Sequence, residues 1–412
     1  MHYIRLLRAP KLTVQEGKKP SYSVNVILTI TTDLGDSFLA DDETVSLKVS
    51  IGWEKPHADG TRTELKTLAA SKVLRWTSSM RVLKADIPVP RLADLHPPGH
   101  DAGPLRVLFQ PPAKKAANHA ADVALAGFAG ECGRIMPVCV DVHMPASEAP
   151  TTCLRRLGHA AGSAEPGLEI EEDIGESIAR HLWDAGVAAV SRLWLLNGGG
   201  PSLEAAEHPT PMTTLHSLLF GGAPVNILEL GCGVGILGVG LARMMATSCD
   251  PDRPGTILMT DLPEAEERTR ANIARLAAPA PVRPEYENLD WDDGRDGAFG
   301  PLARSRAWDL VVLSDCTYNV DALPALVDTW TAVHRQNLAR GPGGRARTRV
   351  AVAMKKRHSD EERLWRLIDE DGWSLVEEDA IALPVLGGED QRIFLYLFET
   401  ERTDFPADSK KA

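Results

Sequence analysis

Residues 227–238 read ILELGCGVGILG, an apolar run that breaks into glycine and then turns apolar again. The pattern is that of a β-strand running into a tight turn and on into a helix. Gly231, Gly233 and Gly235 allow the backbone to bend sharply and to approach a ligand closely. The helix that follows opens with amides free of intrahelical partners and a partial positive charge, a setting suited to a carboxylate or a phosphate. Gly233, Gly235 and Gly238 also satisfy the G-x-G-x-x-G spacing of dinucleotide sites, and that spacing alone does not separate one nucleoside cofactor from another.

Two carboxylates around the loop do discriminate. Glu229 stands at the strand end two residues before Gly231, where it can receive an ammonium group and would repel a pyrophosphate. Asp261 ends the next apolar segment, the usual place for a carboxylate that takes both hydroxyls of a ribose. S-adenosyl-L-methionine carries an ammonium, a carboxylate and a ribose, and each finds a partner here. A nicotinamide dinucleotide is the competing reading, with an oxidoreductase as the function it would bring.

Outward from the loop the chain alternates strand and helix. Strands are expected at 225–230, 256–260, 282–287, 310–313 and 350–354, with a closing antiparallel hairpin from 373–376 and 393–398. Helices are expected at 172–196, 235–245, 265–276, 322–336 and 360–370, and residues 197–225 read as a loop-like insertion rich in Gly and Pro. Such alternation predicts an α/β fold, a mostly parallel sheet covered by helices on both faces and binding ligands at the strand C-terminal ends.

Residues 1–150 read differently. Val45, Leu47, Val49 and Ile51 alternate with Ser46, Lys48 and Ser50, the period of a half-buried strand. Segments 23–31, 81–89, 105–110 and 136–142 look similar, and the Ala-rich piece 113–130 is expected to be one helix. The organisation predicted is therefore a β-rich N-terminal domain (1–150), a linker (151–170), an α/β domain (171–402) and a disordered tail (403–412).

With 412 residues and a net charge of -12, the chain lacks the basic surface that phosphate binding requires, so nucleic acid is not an expected partner. Six cysteines without a C-x-x-C pair, and histidines without ligand spacing, argue against a disulfide framework or a metal site. The N-terminal residues have no apolar run suited to a signal peptide, and the apolar stretch 227–245 carries Glu229 and five glycines, so no membrane span is expected. A cytoplasmic monomer is the expectation. The run from Lys355 to His358 reads as an edge cap or a solvated loop, and no G-x-S-x-G elbow suggests hydrolysis.

Two further constellations follow the expected third and fourth strands. In Leu289-Asp290-Trp291, the carboxylate can accept from an adenine amino group and the indole can cover an adenine face. In Ser314-Asp-Cys-Thr-Tyr-Asn319, the sheet delivers Asp315 and Tyr318 to the open end of the fold. Together with Leu182-Trp-Asp-Ala-Gly186 upstream, these motifs come in the order seen in one family. From about 171 to 401 the chain resembles the seven-β-strand, Rossmann-like protein-lysine methyltransferases with a D-x-x-Y motif.

The resemblance implies a seven-stranded sheet with S-adenosylmethionine held by Trp183, Gly231, Cys232, Gly233, Asp261, Trp291 and Ser314. It puts Asp315 and Tyr318 at the methyl-acceptor channel. The segment D-C-T-Y-N-V-D is similar to that of fungal members that modify translation elongation factors, so a protein with an exposed lysine is the implied partner. The N-terminal domain and the insertion depart from the minimal family pattern and leave the substrate open. A small-molecule or arginine N-methyltransferase, or an adaptor that keeps the fold without turnover, are the alternatives. A lysine, with an ordinary pKa of about 10.4, must lose its proton before it attacks. Asp315 and the Tyr318 hydroxyl are expected to orient the amine rather than to act as strong bases.

Overall fold

Val45, Leu47, Val49 and Ile51 are buried while Ser46 and Lys48 face solvent, as alternation in one strand demands; Ser50, also buried, departs from it. The computed structural model describes residues 1–17, 20–56, 63–67, 72–89, 104–126, 134–145, 147–159, 167–175, 178–198, 212–246, 255–276, 282–340, 348–356, 362–383, 385–386 and 391–403. These divide into two units, Met1–Trp183 with Ala382–Gln391, and Asp184–Ile381 with Arg392–Ala412.

The first unit is built of two sheets. One pairs Lys11–Gln15, Ser21–Thr32, His2–Leu6 and Ile135–Met136, with Leu83–Val89 on the far side of Ser21–Thr32. The other runs Leu168–Asp173, Thr152–Leu157, Val138–Asp141, Leu105–Gln110, Val45–Pro56 and Thr63–Thr67, with Lys72–Trp76 also on Val45–Pro56. Buried residues of both sheets, among them Ile4, Val26, Leu47, Trp53, Trp76 and Phe109, form one core.

Three sequence expectations need correction here. The segment 151–170 is not simply a link: Thr152–Leu157 and Leu168–Asp173 pair antiparallel, and the unit continues to Trp183. The helix expected over 172–196 begins only at Asp184, because Glu172 is the inward-facing end of a strand. The Ala-rich piece holds a 3-10 turn, Ala113–Lys115, and a short helix, Ala120–Ala124, instead of one helix.

Charge disguised those strands. Arg155 and Glu172 are 2% and 1% exposed and meet at 2.6 Å, and Arg155 also donates to the carbonyls of Ile4, Met136 and Pro137. Although burial alone would raise it, the Arg155 guanidinium holds the Glu172 carboxyl well below the usual range. Glu172 also accepts from the Leu182 amide at 2.9 Å.

In the second unit the helix α1 (Asp184–Gly198) precedes α2 (Thr213–Phe220), β1 (Asn226–Leu230) and α3 (Ile236–Met245). There follow β2 (Thr256–Asp261), α4 (Pro263–Ala274), β3 (Glu285–Asn288), α5 (Trp291–Arg295) and β4 (Leu310–Ser314). The chain closes with α6 (Leu323–Arg340), β5 (Arg349–Lys355), α7 (Glu362–Glu370), β6 (Ser374–Leu383) and β7 (Gln391–Glu399). The seven strands lie in the order β3-β2-β1-β4-β5-β7-β6.

Pairings from β3 to β5 are parallel and β7 runs antiparallel to β5, so the expected Rossmann-like sheet is present. The third strand starts later than expected, at Glu285, and the insertion contains the helix α2. Residues 199–211 of that insertion and 404–412 of the tail lie outside the described residues. Among the described residues no helix is long and apolar enough to cross a membrane.

The order places the site. The chain lays down β1, moves outward to β2 and β3, then returns across the sheet to β4 on the other flank of β1. Loops after β1 and β4 consequently diverge, opening a crevice beyond their C-terminal ends.

Replacing Arg155 with Ala should strand the buried Glu172 carboxylate and cost about 3–5 kcal/mol, the range for one partner lost from a buried pair. Urea unfolding followed by tryptophan fluorescence measures it; a loss below about 1 kcal/mol, within the range of exposed pairs, would mean that the pair is not holding the sheet.

Candidate active site

The turn after β1 is a run of positive φ: Gly231 at 65°, Gly233 at 56° and Gly235 at 84°. A side chain on Gly231 would also collide, its Cβ lying 2.6 Å from Cys316 Sγ and 3.0 Å from the Trp291 ring. Gly235 caps α3 from the left-handed region, and its amide donates to the Cys232 carbonyl at 2.8 Å. From α4, Thr269 donates to the Gly233 carbonyl at 2.6 Å and Asn272 to the Val234 carbonyl at 2.8 Å. Both side chains belong to fully buried residues. Nothing in the sequence singled them out, although their i, i+3 spacing puts them on one face of α4.

Asp261, at the tip of β2, takes the Gly233 amide on Oδ2 and the Leu262 amide on Oδ1, each at 2.7 Å. A carboxylate has about four acceptor positions, so two hydrogen bonds do not exhaust it. Burial raises its pKa, with those two amides opposing.

Glu229 is more deeply placed than its position at the strand end suggests. It is 1% exposed, and neither oxygen has a hydrogen-bond partner of good geometry among the described residues. A Cβ on Gly238 would sit 2.5 Å from its Oε2, so this glycine lets α3 close over the carboxylate. Burial pushes the Glu229 carboxyl well above the usual range, an effect the Gly238 amide only partly offsets and the Asp261 charge reinforces.

Cys316, passed over in the sequence, is the hub of the crevice. Its thiol lies 3.4 Å from the carbonyls of both Leu230 and Gly231 and 3.2 Å from that of Ser314, tying the ends of β1 and β4 together. Burial raises its pKa well above the ordinary thiol value, and Asp261, Asp315 and Glu229 all push the same way. The charges of three carboxylates are thus felt at this one thiol. Cys232 is likewise buried, with its thiol 3.6 Å from Thr269 Oγ1.

At the tip of β4, Asp315 adopts φ 53°, a left-handed conformation that Asp tolerates better than most residues. Its Oδ2 accepts from the Ala185 amide at 2.6 Å, in the first turn of α1, and its own amide donates to Ala353 of β5 at 3.0 Å. Ser314 Oγ would be 3.2 Å from a Cβ on Gly186, and Ile236 only 2.8 Å, so the W-D-A-G segment needs its glycine to seat α1.

Tyr318 is 53% exposed; burial of the rest, with Cys316, Asp261 and Glu264 nearby, raises its pKa. The Trp291 ring edges against Gly231 and the Trp291 carbonyl accepts from Thr329 at 3.0 Å, whereas Asp290 is exposed and caps α5 through the Asp292 amide. Trp183 ends the first unit, its indole donating to the Ile178 carbonyl at 2.9 Å, and Asp184 beside it opens α1. Lys355 ends the fifth strand, β5, but is neither at a sheet edge nor solvated: it is 6% exposed and pairs with Asp184 at 2.8 Å.

These groups can be tested against the two cofactors raised by the sequence. A pyrophosphate needs amides turned outward, yet the Gly233 amide is spent on Asp261, and the carboxylates gathered about Cys316 would repel it. A cationic nucleoside with ribose hydroxyls suits the same carboxylates. The glycine loop, the reversed seventh strand and this acidic crevice define a Rossmann-like methyltransferase, for which S-adenosyl-L-methionine is the cofactor.

A family model described as lysine methyltransferase matches residues 163–371, half of the chain, and the chain belongs to that family. It is 24% identical over 361 residues to a UPF0665 family protein of Schizosaccharomyces pombe, covering 87% of this chain and 90% of the relative. Among solved structures, a SAM-dependent methyltransferase from Methanosarcina mazei aligns with 46% of this chain and 97% of its own, at 14% identity and a TM-score of 0.31. An O-methyltransferase family protein from Burkholderia thailandensis aligns with 54% and 60%, at 15% identity and 0.31.

Because the folded pKa of Glu229 lies above its value of 4.5 in the open chain, its contribution to stability is complete below that value and is lost as pH rises toward the folded pKa. The Glu229→Gln protein, without cofactor, should therefore melt higher than wild type at pH 8 and show a flatter decline between pH 5 and 8. Parallel Tm–pH curves for the two proteins would mean that this carboxyl is not the buried acid.

Proposed function

We propose that this chain transfers a methyl group from S-adenosylmethionine to the side-chain nitrogen of a lysine in a protein, with a translation elongation factor as the first acceptor to test. The observation that carries the reading is the glycine turn closed on Asp261, with Cys316 joining the ends of β1 and β4 beside it and Asp315 held at the tip of β4 by the Ala185 amide. The family description supplies the lysine. When bound, the cofactor supplies a methyl group activated on a sulfonium.

In this reading Asp261 holds the ribose, the turn of Gly231, Cys232, Gly233 and Gly235 lies against the amino-acid part, and Glu229 is the buried acid beneath the loop. Ser314, Asp290 and Trp291 complete the cofactor site, with Trp291 against the base. Asp315 and Tyr318 take the acceptor. A raised pKa keeps the Tyr318 phenol protonated at neutral pH, so it acts as a hydroxyl that orients an amine. One Asp315 oxygen is already fixed by the Ala185 amide, which gives the other a defined direction. An apolar channel lowers the amine pKa while a carboxylate raises it, so these residues align the lysine and leave its proton to water.

Purified protein incubated with methyl-labelled cofactor and a cell lysate should label a protein at lysine, identified by mass spectrometry. Label found in a metabolite or at arginine would replace the acceptor proposed here. Asp261→Ala should weaken cofactor binding by about 1–3 kcal/mol, the cost of stranded hydrogen-bond partners, read by calorimetry; unchanged affinity would remove Asp261 from the site.

Asp315→Asn retains an acceptor for the Ala185 amide and should fold as wild type does, whereas Asp315→Ala should lose about 1 kcal/mol with the cap. Both should abolish transfer while cofactor binding survives. Transfer near the wild-type rate by the Asn variant would reduce Asp315 to a helix cap.

A further inference from the structure

Lys355 ends β5 in the same layer of strand tips as Asp315, and it is buried with Asp184, whose exposure is 0%. Its Nζ donates to Asp184 Oδ2 at 2.8 Å. The next residue along α1 is Ala185, whose amide donates to Asp315 at 2.6 Å. The Asp315 amide in turn donates to Ala353, two residues before Lys355 on β5. The contacts close a ring, from β5 to α1 to β4 and back to β5.

A buried ion pair stabilises little over a well-packed apolar pair, so stability alone is a weak reason for putting a lysine and an aspartate here. Geometry supplies a better one. The first turn of α1 is the only part of the ring not built into the sheet, and it carries the donor that orients Asp315. Asp315 itself sits at φ 53°, a conformation that persists only where its surroundings enforce it.

We propose that Lys355, through Asp184 and the first turn of α1, sets the direction of the Asp315 carboxylate and is a positioning residue for the transfer step; this rests on the function proposed above. Without the ammonium, the buried Asp184 carboxylate loses a charged partner. It then takes up a proton or draws the turn toward solvent, and the Ala185 amide moves with it. A displacement of about 1 Å at an orienting group costs on the order of 10²-fold in rate.

The test uses the full chain and three readouts. In Lys355→Met the Ala185 amide should exchange its hydrogen about tenfold faster or more, since the local bond that protects it opens more readily. Cofactor Kd by calorimetry should stay within about twofold, and methyl transfer at saturating cofactor should fall between about tenfold and a hundredfold. The double variant Lys355→Met with Asp184→Asn removes the stranded charge and should recover Tm without recovering transfer. It also serves where the single variant fails to fold.

Unchanged exchange at Ala185, or full transfer by either variant, overturns the proposal. A wild-type protein that methylates no lysine overturns the function proposed above instead, and the exchange of Ala185 then still decides the clamp.

Discussion

One amide proton organises the second unit. Three glycines with positive φ form a turn that no other residue adopts cheaply, and by themselves they would leave it loose, because glycine loses more conformational freedom on folding than any other residue. The Gly233 amide resolves this by donating to Asp261, which joins the turn after β1 to the tip of β2. Thr269 and Asn272 then hold the carbonyls of the same turn from α4. The bond has a chemical consequence as well as a structural one. A carboxylate occupies the place where a dinucleotide site offers free donors, so the turn is committed to a ligand that is not a pyrophosphate.

The crevice follows from the same arrangement at a larger scale. Strand order alone would bring the tips of β1 and β4 together. Cys316 fills the gap between them with a group small enough to lie under Gly231 and polar enough to reach three carbonyls. Carboxylate charges are felt at its thiol, and Lys355, the buried cation at the end of β5, is engaged by Asp184. Burial disfavours the charged forms of Glu229 and Asp261, a neighbouring carboxylate adds to this in each case (Asp261 for Glu229, Glu264 for Asp261), and both bind protons more tightly. A folded protein that keeps such a cluster is poised for a positively charged ligand.

Much of this was legible before the structure. Glycine spacing and the acids at 229 and 261 mark the loop, and hydrophobic runs mark β1, β2, β4 and β5, because buried parallel strands are largely apolar; β3, reading EYEN, is not such a run, and it starts later than expected. What escaped had a common cause. Arg155, Glu172 and Lys355 look like solvent-facing charges, and only pairing over long separations in sequence makes them interior residues. Local pattern carries no record of such partners. In sequence, the strands Thr152–Leu157 and Leu168–Asp173 therefore look like a link and the start of a helix. Glu229 differs in the opposite direction: it stands at the strand end as expected, but its carboxyl is buried beneath α3.

The inward turn of Glu229 bears on how the site would work. An exposed carboxylate gains little from a cation, since water has already solvated it, whereas a buried acid whose desolvation is only partly offset still has some to recover. Glycine at 238 is what permits the burial, since any side chain there would meet the carboxylate oxygen. The helix α3 thus approaches the loop closely for an electrostatic reason as well as a packing one. On this argument the glycine motif contains two devices in one stretch of chain: Gly231 to Gly235 shape the turn, and Gly238 keeps a charge in reserve behind it.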